Sequence, residues 1–298
     1  MSSNGHTKEN SRLGIAAATA AVTVWGFGNV LAKFIPLSGP TLSFDRLWLG
    51  ALLAFVLMQA MKRHLTAVNF VHAIPGGIAF GLNSLLFFTA VKYTSATTAT
   101  VIGTLQPALL MLVAGRLFGE KVRAKAVVAS LIALVGALVV VLGAPASGHD
   151  SLFGDLLATG ALFTYAIYFV ASKKARETIG TIEYQVAMQV IAAIVVTPVV
   201  LVTRSSYSGG IHDWLLVLLL TIVPGGGHYL FNWAHSQTSL VLVSILTLAT
   251  PIVTMGVALV ILNQGVNLAQ VMGTVVVIVS LAFVVSKASS AEDRLVGT

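Results

Sequence analysis

The chain has 298 residues, of which 57% are hydrophobic and 9% are charged, and it carries a formal net charge of +7 at pH 7. Because soluble domains contain about 25% charged residues, this composition excludes an ordinary soluble globular protein. The chain contains no cysteine, which excludes disulfide bonds, thiolate metal sites and a cysteine nucleophile. No metal and no cofactor are predicted.

Ten apolar runs, each long enough to cross a bilayer, follow one another along the chain. The loops between them leave no room for a soluble domain. The first run is of spanning length, which favours a spanning helix over a cleaved signal peptide. We therefore predict an all-α integral membrane protein with spans at 14–34, 41–61, 70–92, 97–118, 124–143, 152–172, 181–203, 214–235, 241–262 and 268–287.

The positive charges predict the orientation of these spans. If the N-terminus is cytoplasmic, thirteen of the 17 Lys and Arg residues lie on the cytoplasmic side, Lys33, Lys92 and Arg204 lie outside, and Arg46 lies within the second span. Since cytoplasmic loops are enriched in Lys and Arg, this bias predicts a multi-pass protein with both termini in the cytoplasm. The membrane that we expect is the bacterial inner (plasma) membrane. Contact with anionic membrane lipid explains the net charge without a nucleic acid partner.

The two halves of the chain resemble each other. Residues 18–33 align with 158–173, and Pro107 has the same place in its run as Pro251 has in the second half. Each half then holds five spans, and because five is odd, the second half enters the membrane from the opposite side. We predict a cytoplasmic tail at 1–12, inverted five-helix repeats at 13–147 and 148–287 around a central cavity, and a cytoplasmic tail at 288–298. Chance similarity between apolar runs is the alternative.

Proline and glycine mark candidate hinges within the spans. An interior proline costs a helix about 3 kcal/mol, and in lipid it persists only where neighbouring helices or a cavity satisfy the freed carbonyl. A proline followed by three glycines in span 8 predicts a broken or bendable helix, whereas close helix packing is the simpler alternative. The predicted hinge residues are Pro107, Pro251, Pro224, Gly225, Gly226 and Gly227.

Aromatic and amide side chains share faces of spans 1, 3, 6 and 8. Asn29 lies one turn after Trp25, and Asn83 lies between Phe80 and Phe87. Because an amide in lipid is costly, the combination predicts a wet pocket with flat apolar walls. For any single Asn, a hydrogen bond between two helices is the competing interpretation. The predicted substrate-binding residues are Trp25, Asn29, Phe80, Asn83, Phe87, Gln106, Tyr165, Tyr168, His228, Asn232 and Trp233.

Motifs for catalysis or ATP use are missing from the sequence. No Asp or Glu lies at the middle of a span, and His228 is the one deep titratable candidate, which is more often a packing residue than a proton carrier. GxxxxGK[ST], HExxH and GxSxG do not occur. The sequence therefore favours a protein that is not an enzyme, and no catalytic residue is predicted.

One set of residues, within about 13–287, matches a known family pattern. Its members are Trp25, Gly26, Asn29, Lys33, Arg46, the run 90–96, Pro107, Gly119, Glu120 and Pro251. By these residues the chain resembles the EamA-type branch of the drug/metabolite transporter superfamily, and within it the aromatic amino acid exporters. Asn263 and Gln264 depart from the family's usual Gly-Glu after span 9. The resemblance implies a central cavity formed by spans 1, 3, 4, 6, 8 and 9, with spans 5 and 10 as scaffold.

The combined hypothesis is a transporter that exports amino acids, aromatic or other apolar ones in particular, by alternating access. Its partners are the small-molecule substrate and membrane lipid. One alternative is an exporter of planar cationic drugs or other small metabolites, although the sequence offers no mid-membrane carboxylate to hold a cation. Another is an intramembrane enzyme. The driving force and the oligomeric state do not follow from the sequence.

Overall fold

The computed structural model describes residues 3–93, 102–119, 124–143, 151–203, 210–262 and 265–296. Within these ranges the chain is helical apart from short turns. The helices are α1 (Ser3–Leu31), α2 (Gly39–Ala60), α3 (Ala67–Tyr93), α4 (Gln106–Phe118), α5 (Ala124–Leu142), α6 (Leu152–Ala175), α7 (Thr181–Thr203), α8 (Ile211–Ala234), α9 (Leu240–Leu246), α10 (Thr250–Leu262) and α11 (Leu268–Val296).

Serine side chains fix the starts of three helices. Ser38, Ser151 and Ser239 precede α2, α6 and α9, and each Oγ accepts a hydrogen bond of 3.1–3.3 Å from the backbone N–H three residues later. This bond satisfies one of the free N–H groups in the first turn. Gly119 follows α4 with φ of 64°, a left-handed conformation that favours glycine and ends the helix.

The two proline-containing spans 4 and 9 are interrupted just before the proline. Span 9 consists of α9, a 3₁₀ turn at Thr247–Ala249 and α10, whose second residue is Pro251. Span 4 has a turn at 104–105 and then α4, whose second residue is Pro107; its residues 97–101 lie outside the described ranges. Because proline lacks an N–H and clashes with the preceding turn, it is tolerated at the start of a new helix. The expected proline near the middle of one helix is thus replaced by a helix that ends and restarts.

Span 8 is not broken at its proline. Helix α8 runs through Pro224 and the three glycines without interruption. A Cβ on Gly227 would lie 2.6–2.8 Å from the side chains of Val24 and Trp25, whereas Gly225 and Gly226 have open space around them. Close packing against α1 therefore accounts for Gly227. The broken form of the predicted hinge is not found, and a hinge that only bends stays a prediction.

The first and last helices extend into the predicted polar tails. Helix α1 begins at Ser3, within the predicted tail 1–12, and α11 extends to Val296. In the second case no Pro or Gly interrupts 285–296, and its Ala, Glu, Arg and Leu residues are good helix formers. Helicity therefore persists beyond the apolar segment.

The outer surface of the bundle is apolar. Seven helical segments in the described ranges are long and apolar enough to cross a membrane, one of them being the interrupted run Leu240–Ile261, and Val127–Leu142 and Leu268–Val284 are shorter apolar helices. Leu142, Val202 and Val260 are among many large apolar side chains that are exposed. A continuous apolar surface of this kind suits acyl chains rather than water. The count of ten spans stays a prediction.

The helices pack in pairs across the bundle. Helix α1 lies along α8, α3 lies along both α6 and α7, α2 lies along α7, and α5 lies along α11. Helices α5 and α11 lie in close contact at Gly136 and Gly273, where a Cβ on Gly273 would stand 2.7 Å from the Gly136 carbonyl oxygen. Small residues of this kind allow close backbone contact in a membrane, where helices gain little from hydrophobic association.

At each end of the bundle a side chain donates hydrogen bonds to backbone carbonyl groups. At one end, which we call the Tyr93 end, Ser151 Oγ donates to the carbonyl of Tyr93, and the backbone of α3 lies against the start of α2 at Gly39. At the other end, the Lys173 end, Lys173 Nζ donates to the carbonyl oxygens of His235 (3.2 Å) and Thr238 (2.6 Å).

Two charged groups at the Lys173 end lie close to Glu183. Arg63 pairs with it at 3.7 Å. Burial lowers the pKa of Arg176, while the carboxylate of Glu183 acts in the opposite direction. The sequence-based orientation places this positively charged end in the cytoplasm.

Candidate functional site

A cavity of about 210 Å³ lies between the helices, in the halves nearer the Tyr93 end. Helices α1, α2, α3, α6 and α8 line it together with the interrupted parts of spans 4 and 9. The lining residues are Trp25, Gly28, Asn29, Ala32, Arg46, Phe80, Asn83, Ser84, Phe87, Phe88, Gly103, Thr104, Gln106, Ala158, Ala161, Leu162, Tyr165, Leu220, Pro224, His228, Thr247, Thr250 and Pro251. Apart from Arg46 on α2, the lining comes from the spans that the family resemblance implies.

Aromatic rings form one wall of the cavity. The Trp25 ring lies 4.7 Å from the His228 ring and 6.3 Å from that of Tyr165. His228 in turn meets Phe80 edge-on at 4.7 Å. Trp25 is fixed in place because its Nε1 donates to the carbonyl of Pro224 at 3.1 Å. These contacts fix the rings with flat apolar surfaces lining the cavity, an arrangement on which another planar group can stack.

Two asparagine side chains both line the cavity and form hydrogen bonds between helices, the two roles that the sequence left open. Asn29 Nδ2 donates to Thr254 Oγ1 on α10 (3.3 Å), and Asn83 Nδ2 donates to the carbonyl of Ala161 on α6 (2.9 Å). Both therefore bridge helices, and both also line the cavity. Within the described residues their Oδ1 atoms carry no hydrogen bond, so each can accept one from a molecule in the cavity.

Arg46 is the charged side chain among the lining residues, and the sequence prediction did not place it in the site. Its Cζ lies 5.6 Å from the ring centre of Phe80 and 5.3 Å from that of Phe88. A signal was present, because a charge within a membrane span is by default a functional candidate. Arg46 entered the prediction only as part of the family resemblance and as a charge within the second span. The other polar lining residues that it missed, Ser84, Thr104, Thr247 and Thr250, carry no comparable signal.

Eight of the eleven predicted substrate-binding residues line the cavity, and three do not. Tyr168 and Asn232 are fully buried one turn closer to the Lys173 end, and partly buried Trp233 packs on the hydrophobic core. Of the predicted hinge residues, Pro224 and Pro251 line the cavity, whereas Pro107, Gly225, Gly226 and Gly227 do not. Contact with substrate stays a prediction for each residue of the lining.

A buried layer closes the bundle between the cavity and the Lys173 end. The Tyr168 hydroxyl donates to Asn232 Oδ1 (3.1 Å), and Asn232 Nδ2 donates to Gln185 Oε1 (2.8 Å). Phe169 and Phe231 pack beside this network with ring centres 4.5 Å apart. The hydrogen bonds join α6, α7 and α8, so Tyr168 and Asn232 act as a floor beneath the cavity.

Comparisons with known proteins agree with this architecture. The model of the EamA-like transporter family matches the chain twice, at residues 12–142 and 152–286. An uncharacterized transporter of Clostridium kluyveri is 26% identical over 230 residues, which cover 74% of this chain and 73% of that protein. A crystal structure of a protein with no further name superposes with a TM-score of 0.78 at 20% identity, over 95% of this chain and 98% of that one, and shows the fold alone.

The family matches account for most of the chain and contain two copies of the same unit. They point to membrane transport rather than to enzymatic activity. The expected closeness to aromatic amino acid exporters stays a prediction. The chain belongs to the EamA-like transporter family.

Proposed function

We propose that the protein exports amino acids, with aromatic and other apolar ones preferred, by alternating access across the bacterial inner membrane. The observation that carries the proposal is the cavity, in which aromatic rings lie beside hydrogen-bond acceptors and a cation. The acceptors are the free side-chain oxygens of Asn29 and Asn83, and the cation is Arg46. A free amino acid carries an apolar side chain, an ammonium and a carboxylate. The lining offers a partner of matching chemistry for each.

The size of the cavity favours small metabolites over drugs. Its volume of about 210 Å³ lies below the range of about 300–1,000 Å³ that is typical of sites for drug-sized ligands. The lining charge among the described residues is also positive, which disfavours planar cations. The exporter of cationic drugs is therefore the weaker candidate.

The packing of the helices supports two repeats related by an exchange of halves. If spans 1 to 5 are exchanged with spans 6 to 10, the contact of α1 with α8 becomes that of α6 with α3, and the contact of α3 with α7 becomes that of α8 with α2. The contacts of α2 with α7 and of α5 with α11 map onto themselves. With five spans in each half the repeats are inverted, the arrangement that allows two access states of equal architecture.

The position of the cavity supports an access state that is closed towards the cytoplasm. The positively charged Lys173 end is cytoplasmic under the positive-inside rule, and the layer of Tyr168, Asn232 and Gln185 lies on that side of the cavity. In the opposite state the layer separates and the Tyr93 end closes. Pro107 and Pro251, at the restarts of spans 4 and 9, are the proposed points of bending.

Flux through proteoliposomes tests the proposal. Purified protein is reconstituted, and the vesicles are loaded with labelled phenylalanine, leucine or threonine, with and without a pH gradient. We expect flux of phenylalanine and leucine above that of threonine and above protein-free vesicles. Absence of flux for all three, or a preference for a dicationic dye over them, would refute it.

A further inference from the structure

We propose that Arg46 and Ser84 form a carboxylate-binding subsite, so that the cavity selects ligands by a carboxylate group and not by an amine. The inference rests on the proposed function insofar as it names which part of the substrate is recognised. It concerns binding alone, and its test does not require transport.

The local geometry brings the two side chains together. Phe80, Ser84 and Phe88 follow one another at four-residue spacing, which places them in one stripe along α3. The Arg46 guanidinium lies within 5.6 Å of both rings and therefore stands over the part of the stripe that carries Ser84. The Oγ of Ser43, three residues before Arg46, lies within hydrogen-bond distance of the carbonyl oxygens of Gly39 (2.9 Å) and Ser84 (3.0 Å), which ties this part of α2 to α3.

Arg46 lacks a counterion within the described residues. It is 8% exposed, its Nε has no hydrogen-bond partner, and the ion pair seen in those ranges is the one between Arg63 and Glu183. Its neighbour Asp45 has an unpartnered Oδ2 and makes no ion pair with it. Burial of an unpaired charge is unfavourable, and two cation–π contacts offset only part of that cost. An anionic ligand group supplies the counterion that Arg46 lacks among the described residues.

Two further buried donors face the same problem. Ser84 Oγ and Gln106 Nε2 have no hydrogen-bond partners in the described residues. Water cannot easily replace those partners, because each residue is only 2% exposed. Both residues line the cavity beside Arg46. A carboxylate has two oxygens with about four lone pairs and accepts from a guanidinium and a hydroxyl together. An ammonium offers only donors, so it repels the Arg46 guanidinium and gives Gln106 Nε2 no acceptor.

A set of matched ligands tests the subsite on the wild-type protein. Binding of 3-phenylpropionate and phenethylamine, which share the phenyl group and differ in charge, is measured in detergent by competition with labelled phenylalanine and directly by the fluorescence of Trp25 and the other tryptophans. We expect 3-phenylpropionate to bind at least tenfold more tightly, since hydrogen bonds to charged groups are the strong ones. Equal binding, tighter binding of phenethylamine, or binding of neither compound would overturn the inference.

Three variants locate the selectivity. Arg46→Gln should abolish the preference for the carboxylate, and Arg46→Lys should keep part of it. Ser84→Ala should weaken the binding of 3-phenylpropionate two- to fivefold. Arg12→Gln, at an exposed position of α1, is the control and should keep the full preference. If Arg46→Gln loses stability but retains the wild-type ratio, Arg46 is structural and the subsite does not exist.

The result separates this inference from the proposed function. Selective binding of 3-phenylpropionate without flux of any amino acid would leave the subsite standing and remove amino acid export. Flux of phenylalanine with equal binding of the two probes would do the reverse.

Discussion

Replacement of Asn232 by Leu distinguishes a floor from a binding site. The side chain receives one hydrogen bond from Tyr168 and donates one to Gln185, and no part of it is exposed. Side-chain hydrogen bonds inside membrane proteins are worth about 0.6 kcal/mol on average and up to about 1.7. Loss of both therefore costs about 1–3 kcal/mol of unfolding free energy, and it leaves the Tyr168 hydroxyl without its acceptor.

Asn83→Leu is the comparison variant. It removes one hydrogen bond between helices and, at the same time, a polar group that lines the cavity. We expect Asn232→Leu to unfold more easily in an SDS titration while the KM for phenylalanine flux changes less than twofold. Asn83→Leu should lose less stability and raise KM three- to tenfold, the range of one neutral hydrogen bond. A tenfold rise in KM for Asn232→Leu at wild-type stability would refute the assignment of Asn232 to the floor.

Three other perturbations test the scaffold, the helix restarts and the lipid face. Gly273→Ala should cost about 1–3 kcal/mol in the same titration, because its Cβ would press on the Gly136 carbonyl and separate α5 from α11; a neutral effect would contradict the packing. Pro107→Ala should slow flux several-fold while substrate affinity stays constant, Pro251→Ala at a cavity-lining position should also slow flux, and unchanged flux in both would remove the hinge. Phe163→Ala, at an outward-facing position that is 53% exposed, should leave flux and affinity within twofold.

Helical periodicity explains which part of the site was predictable. The spacing from Trp25 to Asn29 and from Phe80 to Asn83 places aromatic and amide groups on one face of a helix, and these residues do line the cavity. Periodicity does not give depth along the helix, however. Tyr168 shares a face with Tyr165 but lies one turn closer to the Lys173 end, and it is therefore part of the floor.

The interrupted spans show a second limit of sequence reasoning. Pro107 and Pro251 were predicted as hinges, but the sequence does not reveal whether a proline kinks a helix or starts a new one. In span 9 the Thr247–Ala249 turn precedes Pro251 and gives the latter role. In span 8, Pro224 is followed by three glycines and α8 nevertheless continues, with Gly227 and the Pro224 carbonyl both in contact with α1. Tertiary contacts decide between the outcomes.

The sequence repeat and the position of the floor together suggest what closes the other end. At the spacing that aligns 18–33 with 158–173, Tyr165 corresponds to Trp25, and these two rings meet edge to face in the cavity wall, with their centres 6.3 Å apart. The floor residue Tyr168 then corresponds to Gly28, and Phe169 to Asn29. Inverted repeats exchange roles between access states, so in the proposed mechanism the region around Gly28 and Asn29, which lines open space here, packs shut when the floor separates. The smaller side chains on this side require the partner helices to approach more closely, and the interrupted spans 4 and 9 are the elements able to supply that movement.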